Sequence, residues 1–478
     1  MKQSSSGPGS LSLARMGWAL AFGLFLGLCL WKFGNPVILD SKISDPATWR
    51  DFLTEAWPPR WAGLMLAPLT LAWLLTNRFG KADWKELEWW GLAPLFWLVW
   101  NGVASIQSQD TALTLATLVQ FTGCVVFFFI GWLGLKPDGP ARWMLALLLP
   151  SFLYCLIQAF LQHQYIFPQS HQMLVEGEKT GWTNFPAAFM EELRSDQILI
   201  STNGMQKANP VFLAKFAEGR VNGTMVYPNA LAGLILLLFP VAWVLTAQFA
   251  ARLRPVVRWA CMGTFLFLAG TSFYWTGSKS GWLIALGVCG LAMWRIKWPG
   301  RLKKSILAIV LVTGLGCFAL RFHHYFSHGA TSVTARLDYW HAAVQICMAH
   351  PWVGSGPGTF QHPYALLKAP SSEMARLTHN DYLEQFSDSG VPAGLAYLGW
   401  VAWALLRCGK RVWIQGSVFE FGLFLGVLAW FTQGFCEFSL YIPALAWLAF
   451  ALLGSLMNLR PRRDTIRHSK PAPVPCKP

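Results

Sequence analysis

Twelve stretches of about 17 to 22 mostly apolar residues recur along the 478-residue chain, beginning near Met16, Trp61, Trp89, Thr111, Trp143, Ala230, Val256, Gly281, Ser305, Val391, Val418 and Phe438. A helix of that length crosses a hydrocarbon core of roughly 30 Å with its backbone polar groups bonded internally. With 54% hydrophobic and only 13% charged residues, the chain is too apolar for a soluble protein of its size. The expected fold is therefore all-α, a polytopic integral membrane protein of about 12 transmembrane helices. The third and fourth runs are parted only by a turn around Gln107 to Asp110, and the seventh and eighth by Thr276-Gly277-Ser278-Lys279.

Charge placement supplies the orientation, because short cytoplasmic loops favour Lys and Arg. With both termini inside, the inner segments hold 24 of the 38 Lys and Arg and six of the 23 acids. The formal charge of +15 thus reports membrane orientation and gives no reason to expect a nucleic-acid partner. The first run lacks a small-residue cleavage site and reads as a retained helix. Residues 1–162 then carry spans one to five, 163–228 a first outer loop, 229–321 spans six to nine, 322–390 a second outer loop, 391–458 spans ten to twelve, and 459–478 a basic inner tail.

Cysteines 29, 124, 155, 261, 289, 317 and 436 fall within apolar runs and form no C-x-x-C pair, so they read as small buried hydrophobes. The second outer loop holds seven of the ten histidines, among them His323, His324 and His328, without Cys or carboxylate at ligand spacing. No metal and no cofactor is expected.

Both long loops emerge on one face and can share a site. The first contains Trp182, a short helical pattern over 187–193, and the segment Arg220-Val-Asn-Gly-Thr-Met-Val-Tyr-Pro-Asn229 leading into the sixth span. Arg220 near the interface reads either as an arginine snorkelling to headgroups or as a functional cation. Lys279 is a lone cation in a tight outer turn, where it needs a lipid phosphate, a neighbouring acid or an anionic ligand as partner. In the second loop, Leu337, Trp340, Val344 and Cys347 or Met348 have the spacing of one helical face over 334–348, predicting a helix that lies flat on the bundle. His350-Pro-Trp-Val-Gly354-Ser-Gly356-Pro-Gly358 reads as backbone bent close to another segment. His379 then stands near the N-terminus of a short helix that stops at Gly390, where partial positive charge favours a neutral imidazole and nearby anions.

Taken in order, Arg220-x-x-Gly223 with Pro228-Asn229, Ser278-Lys279-Ser280-Gly281, Arg336-x-x-x-Trp340, His350-Pro351-x-x-Gly354-x-Gly356-x-x-x-Phe360 and His379-Asn380-x-Tyr382-Leu383 resemble the O-antigen ligase and polymerase superfamily. The resemblance implies a metal-independent, glycosyltransferase-like enzyme of the bacterial inner membrane. Its donor would be a polyprenyl-diphosphate-linked glycan on the periplasmic side, and its acceptor lipid A-core, a growing glycan or a protein. The family's arginine in the loop before a span falls on Arg220, its second basic residue on Lys279 and its His-Asn pair on His379 and Asn380. Lys279 stands where the family usually has Arg; it keeps the charge and loses the bidentate fork. His379 would act as base, or, if protonated, as a diphosphate contact. Arg336, Asn380, Asn229, Tyr382 and Trp340 are the expected substrate-binding groups. The rival reading is a transporter, or transport-associated protein, for a small anion or glycan. It would require polar groups near the midplane of the bilayer and internal repeats, whereas here polar groups cluster on one face.

Overall fold

The computed structural model describes residues 13–76, 89–137, 139–195, 197–202, 205–327, 331–370 and 372–458. The expected inner tail at 459–478, together with Lys2, Arg78, Lys81, Lys85 and His328, lies outside the described residues. Each of the twelve apolar runs contains a helix. In chain order the helices are α1 Leu13–Lys32, α2 Trp49–Thr54, α3 Pro59–Thr76, α4 Ala93–Ala104, α5 Thr111–Gly134, α6 Pro140–Leu161, α7 Phe167–Thr180, α8 Ala187–Ser195, α9 Pro210–Glu218, α10 Pro228–Ala250, α11 Pro255–Thr276, α12 Lys279–Arg295, α13 Gly300–Ser327, α14 Thr331–Ala349, α15 Gln361–Leu367, α16 Asp381–Gln415, α17 Val418–Gln433 and α18 Pro443–Met457.

Among the described residues, six helical segments are long and apolar enough to cross a membrane: 111–134, 140–180, 228–250, 255–276, 300–327 and 381–415. Helices α17 and α18 are shorter apolar rods. The protein is an all-α polytopic membrane protein, with one small departure among the described residues: a two-stranded antiparallel hairpin, β1 Leu199–Thr202 and β2 Met205–Ala208, between α8 and α9.

The core is built around α18, every residue of which is buried. It packs most extensively against α5, where Gly131 and Gly454 bring the backbones together; a Cβ on Gly131 would overlap the Ala451 carbonyl, and one on Gly454 the carbonyl of Phe128. Where lipid is as apolar as the side chains, such close van der Waals contact is what favours helix association. Helices α12 and α13 lie at the periphery and expose Leu283, Leu291, Ile309, Val312 and Leu315, a surface suited to acyl chains.

Several boundaries differ from the sequence reading for identifiable reasons. The third run yields only the 12-residue α4, preceded by a 3-10 turn over Trp89–Leu92. Helix α17 stops at Gln433 and α18 starts at Pro443, so Cys436 and Phe438, expected within spans, lie in the connection between them. On α14 the buried residues are Tyr339, Ala342, Ala343 and Ile346, while Leu337, Val344 and Met348 of the expected face are exposed. Both stripes have helical spacing. The one carrying two alanines lets α14 approach α16, and the Tyr339 hydroxyl finds the Glu373 carboxylate. The expected stop at Gly390 is present as a kink with φ 77°, separating 381–389 from the rest of α16.

Candidate active site

The α17–α18 connection carries the sequence Gly434-Phe-Cys-Glu-Phe-Ser439, and Glu437 is fully buried within it. A buried carboxylate is stable only when hydrogen-bonded and paired. Oε1 of Glu437 accepts from Nη2 of Arg336 at 2.8 Å and from Nδ2 of Asn229 at 2.7 Å. Oε2 accepts from the Tyr227 hydroxyl at 2.7 Å, and the Tyr227 ring stacks on Phe438. The local sequence explains the convergence. Tyr227 is extended and Pro228 occupies the first turn of α10, which sets Asn229 at the helix entrance. Burial by itself raises the Glu437 carboxyl, but His379, Arg336 and Tyr227 outweigh it and hold it below the ordinary carboxylate range.

His379 enters from the segment before α16. Its φ of 53° is left-handed, a conformation that is uncommon outside glycine and that clusters at functional sites. The surroundings fix it. Thr378 N–H donates to Glu384 Oε2, and Thr378 Oγ1 donates to the Asn380 carbonyl. Oδ1 of Asn380 then caps α16 by accepting from the N–H groups of Tyr382 and Leu383. The imidazole lies edge-on to Phe438 and alongside Tyr339, with Nδ1 3.7 Å from Glu437 Oε2. Its side chain is 29% exposed, so a reactant can reach it.

Two further cations complete the cluster. Nε of Arg220 donates to the Thr276 carbonyl at 2.9 Å, and its Nη2 donates to Asn229 Oδ1 at 3.3 Å. Asn229 therefore bridges Arg220 to Glu437. Burial lowers the Arg220 guanidinium from its ordinary value; Glu218 and Glu437 oppose the fall, and Arg336 and Arg321 add to it. Lys279 opens α12 after a left-handed Gly277 and a Ser278 cap. Its ammonium sits 3.6 Å from the Tyr325 ring centroid, within the fields of Arg220, Arg336 and Arg321. Nε of Arg336 is buried with no hydrogen-bond partner among the described residues.

Residues 264–398 match the family model described as O-antigen ligase. Over that stretch the chain is similar to the O-antigen ligase family. No curated protein matches the chain. The ligase-family match runs from within α11 into α16 and takes in Lys279, Arg336, Trp340, His379, Asn380 and Tyr382, while Arg220, Asn229 and Glu437 fall outside it. The family's chemistry is glycan transfer of the ligase or polymerase type, in a bacterial membrane.

Within this site, the residues singled out from the sequence do not all do the same thing. His379, Arg220, Lys279, Arg336 and Asn229 gather around one cluster. Asn380 spends its carbonyl oxygen as a helix cap. Tyr382 is buried, its hydroxyl donating to the Phe431 carbonyl and its ring stacked on Phe435. Trp340 is half-buried against the small core that joins α14 to Phe360 and Tyr364. Glu437 and Tyr227 were not singled out from the sequence. The available signal was a lone acid between two phenylalanines in a short connection between apolar runs.

The glycine-rich turn supports the His379 segment from behind. Ser355 and Gly356 donate their N–H groups to the carbonyls of Ser387 and Asp388, and Gly358 N–H donates to Asp388 Oδ2 at 2.7 Å. A Cβ at Gly354 would collide with the Ser387 and Asp388 backbone, and Gly354 has φ 60°. The sequence reading of a close backbone approach matches this geometry. Among the described residues no group of three His, Cys, Asp or Glu side chains is arranged to hold a metal ion.

Proposed function

We propose that the protein transfers a glycan from a polyprenyl-diphosphate carrier to an acceptor hydroxyl, on the periplasmic face of the bacterial inner membrane. The observation that carries this reading is the Glu437 hub, which holds a histidine and two arginines, one of them through Asn229, around one partly open site. In the reaction the acceptor oxygen bonds to the anomeric carbon as the bond from that carbon to the diphosphate oxygen breaks. The electron pair departs with the diphosphate, and the acceptor proton goes to His379. With Nδ1 turned to Glu437, Nε2 is the nitrogen that takes it, and Glu437 steadies the imidazolium.

Arg220, Lys279 and Arg336, whose Nε has no partner among the described residues, are the groups that meet the charge developing on the leaving oxygen. Fixed cations in a poorly hydrated crevice stabilise such charge without reorganising, and removing one donor of this kind typically slows chemistry by ~10²–10³. Asn229 and Tyr227 position the hub. The acceptor is lipid A-core, a growing glycan or a protein.

The test uses protein purified and reconstituted in lipid, with the lipid-linked glycan extracted from a deletion strain. Transfer should be lost in His379→Ala and Arg220→Ala with membrane insertion unchanged, and should persist in chelator. Normal turnover by the His379 variant would remove it as the base. Single-unit surface glycans in the deletion strain would indicate a polymerase, and long unattached lipid-linked chains a ligase.

A further inference from the structure

Helix α6 does not end at the level of the cation cluster. It passes through a π-helical turn over Gln162–Ile166 into α7, giving one continuous rod from Pro140 to Thr180. The turn is clamped to both flanks of Arg220. Gln162 Oε1 accepts from the N–H groups of Asn222 and Gly223, and its amide donates to the Gly223 carbonyl. On the other flank, the His163 ring stacks on Trp275 at 4.0 Å with Nδ1 3.0 Å from the Gly219 carbonyl. At 1.5 Å per residue, Gln169 and Thr180 stand roughly 10 and 27 Å farther along the rod than Gln162.

On this projecting part lies a cleft of about 300 Å³. One wall is a single face of α7, with Gln169, Gln172, Glu176 and Thr180 at helical spacing; the other is Asn184 and Phe185. The second wall is held in place by strain. After Gly181 the chain stays left-handed at Trp182, with φ 65°, and the indole lies over Gly177 while donating to the Gln206 carbonyl of β2 at 2.9 Å. This folds 183–185 back toward α7 and sets the Phe185 ring between Trp182 and Phe189. Gln169, Gln172 and Glu176 make no side-chain hydrogen bond among the described residues.

Primary amides paired with a carboxylate match the adjacent donors and acceptors of vicinal hydroxyls, and an aromatic face packs on the C–H face of a pyranose. Among the described residues no Lys or Arg lines the cleft, which leaves it unsuited to diphosphate. We propose that this cleft is a subsite for the outer, uncharged sugar units of the donor glycan, whose reducing end is held at Arg220 and Lys279. The proposal rests on the transfer reading, and the cleft lies on the same continuous helix whose Gln162 holds the Arg220 segment.

The test is the Gln169→Ala/Gln172→Ala double variant of the full-length protein, whose exposed side chains leave folding undisturbed. With a donor carrying the complete glycan, KM should rise tenfold or more at unchanged kcat, and with a donor carrying a single sugar both constants should match the wild type. The second probe is free glycan released by mild acid from the lipid-linked pool of the deletion strain. It should slow amide hydrogen exchange across 169–185 in the wild type and not in the variant. Unchanged KM for the complete donor, with transfer intact, overturns the subsite and leaves the transfer reading standing. Protection of 169–185 by free glycan in a protein that transfers nothing does the reverse.

Discussion

Nδ1 of His379 faces Oε2 of Glu437 at 3.7 Å, too far for a hydrogen bond and close enough for an ion pair once the imidazole is protonated. The other lobe of the same carboxylate already holds Arg336 and Asn229. One buried acid thus links the proposed base to the proposed anion-binding groups. Proton uptake at His379 should tighten this link at the stage of the reaction when the diphosphate leaves.

Replacing Glu437 by Gln should therefore damage catalysis more than assembly. The amide keeps the shape but cannot match three donors and removes the charge that steadies imidazolium. A fall in kcat of ~10²-fold or more is expected, in the range typical of general acid–base assistance. The measurement is turnover by reconstituted protein at matched membrane levels. Activity within twofold of the wild type would mean that Glu437 is only a scaffold.

The same carboxyl sets an acid limit to stability. Although burial raises it, His379, Arg336 and Tyr227 leave its folded value below the ordinary range, near 4.3 for a free Glu. A depressed carboxyl contributes stability that is fully present above the unfolded value and is lost as pH falls through the folded one. The difference in thermal midpoint between wild type and Glu437→Gln should hold constant from neutral pH to about 5 and close only below about 4. A gap that closed between pH 6 and 7 would point to another group as the stabilising one.

The backbone around His379 is over-determined, and two substitutions test it. Asn380→Ala removes the cap of α16 and should cost ~1 kcal/mol. Gly390→Ala forces a side chain onto a left-handed residue whose Cβ would overlap the Trp352 carbonyl, for a loss of at least ~1–3 kcal/mol. Both should lower the thermal midpoint in detergent, with the Gly390 variant the less stable. Equal midpoints would show that the kink is not constrained by this contact.

Much of this was legible in the chain because membrane physics writes itself into long apolar runs, and because Arg220, Lys279 and His379 are polar residues where polar residues are costly. The face of α14 was not legible. Leu337, Val344 and Met348 have the same periodicity as Tyr339, Ala342 and Ile346, and only the packing of α16 selects between them. Glu437 was not legible as a site residue because it is a single acid at the seam between two adjoining apolar runs. The sequence gives no sign that Tyr227, Asn229 and Arg336, more than 200 and about 100 residues away, converge on that one carboxylate.

Lys279 offers the sharpest separation of charge from geometry. Its ammonium lies over the Tyr325 ring, whose orientation is fixed because the phenol oxygen shares a hydrogen with Ser332 Oγ and accepts from Val333 N–H. A guanidinium stacks on such a face at least as well and adds the bidentate fork that suits phosphate. Lys279→Arg should accordingly keep kcat within about threefold, with donor KM unchanged or lower. Lys279→Gln retains length and polarity but not charge, and should lose ~10²-fold in kcat if the cation meets the leaving oxygen. Steady-state kinetics on both variants decides the role. Loss confined to KM in the Gln variant would make Lys279 a ground-state anchor for diphosphate, and full activity would leave the ring contact as its whole purpose.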